Sequence, residues 1–295
     1  MSAKFSRAVA SLFLLISALP AQAKPIAADP AAGAALLRQC EGKEDFSDPA
    51  PPARIYGNLW YVGTCAVTVL LLTSPQGHIL IDAATEQAAP SILANIKTAG
   101  FNPADIRWIV SSHEHFDHVG GLAALKRATG AKFAALKAGI AVLSSGTVSP
   151  ADPQVQEIHG FEPVKVDRKL VSGDTVRIGK LAITAHATPG HTEGSTSWTW
   201  TSCVRKNCQK FTYLDSLSAL ALGTYSFGKH PERAAMFKKT FADVERWHCG
   251  IALTPHPGVS EMFERIAGKT PLLDPQGCAE IVQSSRERLA KIERK

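Results

Sequence analysis

The 295-residue sequence predicts an α+β fold, a four-layer αββα sandwich of two packed mixed sheets with helices on the outer faces. Three observations predict it. Candidate segments run strands, helix, strand, helix, and then repeat that order, so two β-rich halves each carry their own helices. Short turns such as Pro75-Gln76-Gly77 read as hairpins, which argues against the alternative of a doubly wound parallel sheet. Nor does the chain contain a Gly-x-Gly-x-x-Gly or Gly-Lys-Ser/Thr phosphate loop.

The elements follow from the local pattern. Residues 24–53 are rich in Ala and Pro, lack periodicity, and read as an N-terminal arm ahead of one domain over 54–295. Strands are expected at Leu59 to Val62, Ala66 to Leu72 and His78 to Asp82, punctuated by Asn58 and Gly63. An amphipathic helix from Ala88 to Ala99 ends at Gly100, a buried strand spans Arg107 to Ser111, and a helix from Gly120 to Thr129 ends at Gly130. Residues 151–170 read as loop. Strands resume at Thr175 to Ile178, Leu181 to His186, Thr196 to Thr201 and Lys210 to Leu214. A helix with Pro at its start covers Pro231 to Trp247, a strand Ile251 to Thr254, and a closing helix Pro275 to Lys291.

The first residues read as an export signal. Lys4 and Arg7 precede an apolar run, Ala8 to Leu19, that is short for a membrane span, and Ala21-Gln22-Ala23 is a small-x-small cleavage site. Cleavage after Ala23 removes residues 1–23 and lowers the formal charge from +6 to +4. The expected product starts at Lys24, lies in the periplasm of a Gram-negative cell and has no membrane partner; an uncleaved anchor is the alternative. Basic residues are scattered among acids, which reads as a solvated surface and not a nucleic-acid site. A monomer is expected.

Export changes the meaning of the six cysteines, Cys40, Cys65, Cys203, Cys208, Cys249 and Cys278. An even count in an oxidising compartment suggests disulfides, in any of 15 pairings. Cys203 and Cys208 flank a hairpin tip, Cys40 could fix the arm near Cys65, and Cys249 could tie the last strand to the last helix through Cys278. No Cys-x-x-Cys is present, which argues against a thiolate zinc site.

The chemistry concentrates in Ser112-His113-Glu114-His115-Phe116-Asp117-His118, after the apolar Trp108-Ile109-Val110 and before Gly120-Gly121. His113 and His115 are two apart and share a face in extended backbone, while Asp117 and His118 sit where the chain turns into a helix. Imidazole and carboxylate suit zinc, and four metal-capable side chains within six residues are hard to explain as packing. His191, in Pro189-Gly190-His191-Thr192-Glu193-Gly194-Ser195, and His256, in Thr254-Pro255-His256-Pro257, each follow a strand and can join the cluster at one sheet edge. His78, His159, His186, His230 and His248 lack such surroundings and read as ordinary surface or hydrogen-bonded residues.

The His-x-His-x-Asp-His run, the later Gly-His-Thr-x-Gly and the late strand-end His resemble the metallo-β-lactamase superfamily over nearly the whole chain from Ile55. Within it the sequence is similar to subclass B3 through Tyr56-Gly57-Asn58, Trp60-Tyr61-Val62-Gly63, Gly77-His78-Ile79-Leu80-Ile81-Asp82, Trp198-Thr199-Trp200, Asp215-Ser216-Leu217-Ser218 and Pro255-His256-Pro257. The six cysteines also resemble those of disulfide-rich B3 members. The resemblance implies two Zn²⁺ at the sheet edge, one on His113, His115 and His191 and the other on Asp117, His118 and His256. It implies hydrolysis of β-lactam antibiotics (penicillins, cephalosporins and carbapenems) by a metal-bound hydroxide, with antibiotic resistance as the outcome. Asp117 is also a candidate proton carrier, and Ser216 and Ser218 candidate holders of the substrate carboxylate. Asp82 reads either as support for the ligands or as a strand-end cap. Gln154 reads as a solvated loop residue that could touch substrate.

Two rival readings remain at this level. A thioesterase of the glyoxalase II type, or a lactonase, would use Asp215 as a bridging ligand, whereas in a β-lactamase it reads as a buried structural acid. A non-catalytic exported zinc-binding protein would keep the ligands without turnover. No Gly-x-Ser-x-Gly elbow supports a serine nucleophile.

Overall fold

Helix α1 (Pro30–Cys40) opens the computed structural model, which describes residues 28–294. The expected leader, 1–23, lies outside the described residues. Where the sequence suggested an irregular arm, Asp29 caps α1 by accepting from the Ala31 and Ala32 amides, and Pro30 stands in its first turn. Leu36 is fully buried in the core between the sheets. The stretch hides from a periodicity argument because Ala fills four of the eleven positions of α1, a residue of high helix propensity but small apolar surface.

The first sheet contains β1 (Ala53–Tyr56), β2 (Leu59–Tyr61), β3 (Leu70–Leu72), β4 (His78–Ile81), β5 (Ile106–Val110), β6 (Lys132–Leu136) and β7 (Arg168–Leu170), in that spatial order. β1 to β4 pair antiparallel and β4 to β7 pair parallel. Its helices are α2 (Ala89–Thr98), α3 (Phe116–Val119), α4 (Leu122–Thr129) and α5 (Ile140–Ser145). The helix expected over 120–129 forms as α4, starting at Leu122, and Gly120-Gly121 separates it from the single turn α3, which the sequence did not suggest. Gly121 lies so close to the Ala83 carbonyl that a Cβ there would sit 2.4 Å from it. The expected strand from Ala66 pairs regularly only from Leu70.

The second sheet has the order β12-β11-β10-β9-β8, from β8 (Thr175–Ile178), β9 (Leu181–Ala187), β10 (Thr196–Val204), β11 (Asn207–Tyr213) and β12 (Ile251–Leu253). Helices α6 (Pro231–Val244), α7 (Met262–Ile266) and α8 (Gly277–Ile292) complete this half. Alternation sorts the side chains into three cores. Leu70, Leu72, Ile79 and Ile81 meet Ile183, Trp198, Phe211 and Leu253 between the sheets. Leu71, Leu80, Ile109 and Phe133 face outward against Ile92, Ile96, Leu122 and Leu125. On the far side Leu214 and Ala252 meet Phe237, Phe241, Val282 and Leu289. Three cores between four layers are the αββα sandwich expected from the element order.

The disulfides are Cys40–Cys65, Cys203–Cys208 and Cys249–Cys278. Cys203 and Cys208 face each other across the β10–β11 hairpin, whose turn is Arg205-Lys206. Among the described residues no helix is long and apolar enough to cross a membrane.

Topology places the functional loops. β4 and β5 are parallel neighbours, so their C-terminal ends share an edge. In the second sheet β9, β11 and β12 run in one direction, since β11 and β12 are parallel and β9 is two antiparallel steps from β11. The loops after β4, β5, β9, β11 and β12 carry Asp82, the 112–118 run, His191, Asp215 to Ser218, and His256. Cross-sheet bonds bring the two edges together. The Trp198 indole donates to the Ser111 carbonyl at 3.0 Å, and the Thr196 and Thr68 amides donate to the Ser112 and Pro255 carbonyls at 2.7 Å each.

Candidate metal centre

The five histidines and the aspartate predicted from sequence meet at this edge. One potential ligand atom from each of His113, His115 and His191 lies within 4.8 Å of the others, and the same holds for His113, Asp117 and His118. The His113 ring centre is 4.1 Å from that of His118 and 4.7 Å from that of His191, and the His118 and His256 rings are 5.0 Å apart. His256 Nε2 stands 3.6 Å from Asp117 Oδ2. All but His256 are buried. Of the residues set aside, His78, His186 and His230 bond elsewhere, to Ser74, Thr199 and Glu232, and His159 stacks on Phe116 beside the cluster.

Burying so much imidazole needs a reason, and the hydrogen bonds supply one. His113 uses Nδ1 toward Asp215 Oδ1 at 2.8 Å, His115 uses Nε2 toward Asp152 Oδ2 at 2.9 Å, and His191 and His256 donate from Nδ1 to the Ser218 and Ala66 carbonyls at 2.9 Å each. Each of these four rings thus has one nitrogen fixed and its other nitrogen free. That is how metal-binding histidines are held by their outer partners. His118 differs. Its Nε2 is 3.1 Å from Asp117 Oδ2 and its Nδ1 is 3.4 Å from Asp82 Oδ2, yet both nitrogens are buried without a well-aligned hydrogen bond. A divalent cation fits such a donor set of neutral imidazoles, one carboxylate and orphaned buried nitrogens.

The charges agree. Burial, reinforced by neighbouring imidazoles, keeps His113 and His191 from protonating, the latter pushed down to about 3. Burial also depresses His256. For His118 burial pulls the same way, but Asp117 and Asp82 outweigh it and push the ring up to about 10. Asp117 is held well below the usual carboxylate range: burial would raise it, and the imidazoles of His118, His256 and His115 overcome that. A cation entering here would displace the His118 proton.

Asp82 is the keystone behind the motif. It sits at φ 66°, a left-handed conformation costing on the order of 1–3 kcal/mol for a non-glycine residue. That turn aims its carboxylate at the Ser112 amide (2.6 Å), the Ser112 hydroxyl (2.7 Å) and the Tyr213 hydroxyl (2.7 Å). Of its two sequence readings, support behind the ligands describes these contacts and a simple cap does not. Glu114, the unassigned residue inside the motif, is buried and accepts from the Thr192 hydroxyl (2.7 Å) and the Gly194 amide (2.9 Å), tying the 113–118 run to the His191 turn.

Two residues depart from expectation. Gln154 is buried, not solvated. Asp152, passed over as part of the same loop, is 4% exposed and holds His115. No local signal marked it, because its partner lies 37 residues away. Ser216 and Ser218 are half-buried and, with His256, line a cavity of ≈ 320 Å³ beside the cluster, whose lining also includes Arg265 and Arg288.

Comparison with known proteins decides the family. The model of the metallo-beta-lactamase superfamily matches residues 62–203. The metallo-β-lactamase MIM-1 from Novosphingobium pentaromativorans is 45% identical, with 88% of this chain and 97% of that chain covered and a TM-score of 0.86. MEM-A1, a subclass B3 enzyme from a soil metagenome library, is 36% identical with 85% and 98% covered and a TM-score of 0.81. The chain belongs to the subclass B3 metallo-β-lactamases. It is a hydrolase with the fold of that family. Curated relatives by sequence point to a sister activity. The hydroxyacylglutathione hydrolase of Anaeromyxobacter dehalogenans (strain 2CP-C) is 29% identical over 76% of this chain and 70% of its own length. Of the next two curated relatives this B3 chain spans 48% and 55%.

Proposed function

We propose that this protein opens the β-lactam ring of penicillins, cephalosporins and carbapenems with the help of two Zn²⁺ ions, acting in the periplasm as a monomer after cleavage at Ala23 and conferring antibiotic resistance. The observation that carries the reading is the set of oriented histidines at the sheet edge, in a chain whose structural neighbours are B3 β-lactamases. His113, His115 and His191 would hold one zinc, and Asp117, His118 and His256 the other. Bound zinc supplies a water acidified toward neutral pH and Lewis acidity toward a carbonyl oxygen.

The chain's own groups do the rest. Asp215, Asp152 and the Ser218 and Ala66 carbonyls fix the imidazoles so that little reorganisation is left for turnover. Ser216 and Ser218 line the same cavity as His256 and would take the substrate carboxylate by hydroxyl hydrogen bonds. Asp117 would serve as ligand and as the carboxylate that carries a proton during the reaction.

The second reading, a thioesterase or lactonase, has one observation in its favour beyond the curated relatives: Asp215 Oδ2 is buried without a partner, as a bridging ligand awaiting metal would be. Against it, Asp215 Oδ1 is engaged by the His113 nitrogen, in the position of an orienting partner.

The test is meropenem absorbance with the zinc-loaded chain beginning at Lys24. Rapid loss of absorbance, abolished by a chelator and restored by zinc, is the expected outcome. Two bound zincs with no hydrolysis of meropenem, nitrocefin or benzylpenicillin would sink the lactamase reading and make thioesters and lactones the next substrates.

A further inference from the structure

We propose that Arg233 is the positioning residue that sets the spacing of the His115 and His191 loops, and so tunes the three-histidine half of the centre independently of the other half. The inference rests on the reading of these histidines as a metal site. Arg233 lies on α6 and is 4% exposed. Its Nη2 donates to the Ala151 carbonyl at 2.7 Å and its Nη1 to the Gly190 carbonyl at 3.4 Å. Ala151 directly precedes Asp152, which holds His115, and Gly190 directly precedes His191. One guanidinium therefore bridges two loops that are otherwise unconnected in sequence, one residue upstream of a ligand in one and of a ligand's partner in the other.

Its ion pair with Glu193, at 3.8 Å on a side chain 47% exposed, is long and solvent-screened, so it offsets little of the cost of burial. Burying a guanidinium is costly unless its donors are used, and here a rigid fork uses them on two carbonyls, which a lysine could not span. The rest of α6 gives the fork a fixed base. The Thr240 hydroxyl donates to the Pro189 carbonyl at 2.7 Å. Gly190, at φ 148°, is packed so closely on Phe237 that a Cβ would lie 2.6 Å from the ring. The space between Arg233, His115, Asp152, Thr192 and Glu193 is ≈ 10 Å³, at the limit for a single water. The Asp117, His118 and His256 set is anchored through Asp82 and the Ala66 carbonyl instead.

The experiment separates the halves. In a His118→Ala background only the three-histidine set remains; in a His191→Ala background only the other set is whole. Arg233→Gln and the milder Arg233→Lys are placed in each, and Co²⁺ is titrated into metal-free protein against a chromophoric chelator. The melting temperature of the metal-free form is measured alongside. Arg233→Gln should weaken Co²⁺ about 10- to 100-fold in the His118→Ala background, as losing an outer partner does. Arg233→Lys should weaken it less, and neither should change affinity in the His191→Ala background. Equal affinities with and without the Arg233 changes would overturn the inference. So would parallel weakening in both backgrounds with a fall in metal-free melting temperature, which marks a merely structural role. Should Arg233→Gln fail to fold, the Arg233→Lys pair decides alone. A wild-type chain that takes up no Co²⁺ would instead remove the metal-site reading on which the inference stands.

Discussion

On one side of the cluster, His113, His115 and His191 each give a ring nitrogen to a fixed partner at 2.8 to 2.9 Å. On the other, His118 has two buried nitrogens without aligned partners, and His256, though its Nδ1 is held by the Ala66 carbonyl at 2.9 Å, leaves its side chain 35% exposed. The first side is organised by the protein before any cation arrives. The second is organised largely by the charge of Asp117 against His118, a pairing a cation must break. The difference teaches that a metal site can be half scaffold and half latch, with the two halves expected to load at different affinities.

The largest effect should come from removing the latch. His118→Ala is expected to leave one zinc per chain and to cut turnover at least about 100-fold, the upper end of what loss of a mere outer partner costs. Two zincs by elemental analysis in that variant would break the comparison at its root. A smaller effect sharpens the scaffold side. Asp152→Asn should lower three-histidine affinity about 10-fold or more while leaving the other half unmoved, read by chelator competition. If both halves weaken equally, Asp152 supports the loop as a whole and not His115 in particular. The smallest effect on the centre should come from far away. Leu36→Ala in α1 should cost about 2–5 kcal/mol of stability by denaturant unfolding, yet leave zinc affinity of the folded protein unchanged. A change in affinity would mean that the arm, through Phe46 against His256, belongs to the latch.

Much of this was legible beforehand. The 113–118 run, His191 and His256 declared themselves because metal-capable side chains at strand ends, flanked by glycine or proline, form a local pattern. The layer order was legible because alternation and hairpin turns are local too. Strand β6 was not assigned because it is short and its apolar residues serve two cores at once, and helices α5 and α7 because five or six residues are too few for a helical period to stand out. Asp152 and Arg233 left no trace, since their meaning lies in partners 37 to 82 residues away.

The sequence by itself determined the candidate ligand set, because zinc chemistry restricts which side chains can serve and their spacing along a strand end restricts how. It also determined the alternation that builds two sheets. The tertiary structure alone decided which ring nitrogen each histidine presents, which carboxylate stands behind it, and that Asp82 accepts a left-handed backbone to reach Ser112 and Tyr213. The reason is physical. Ligand identity is a property of one residue, whereas orientation is a property of contacts between loops, and those exist only once the two sheet edges have been brought together by packing between them.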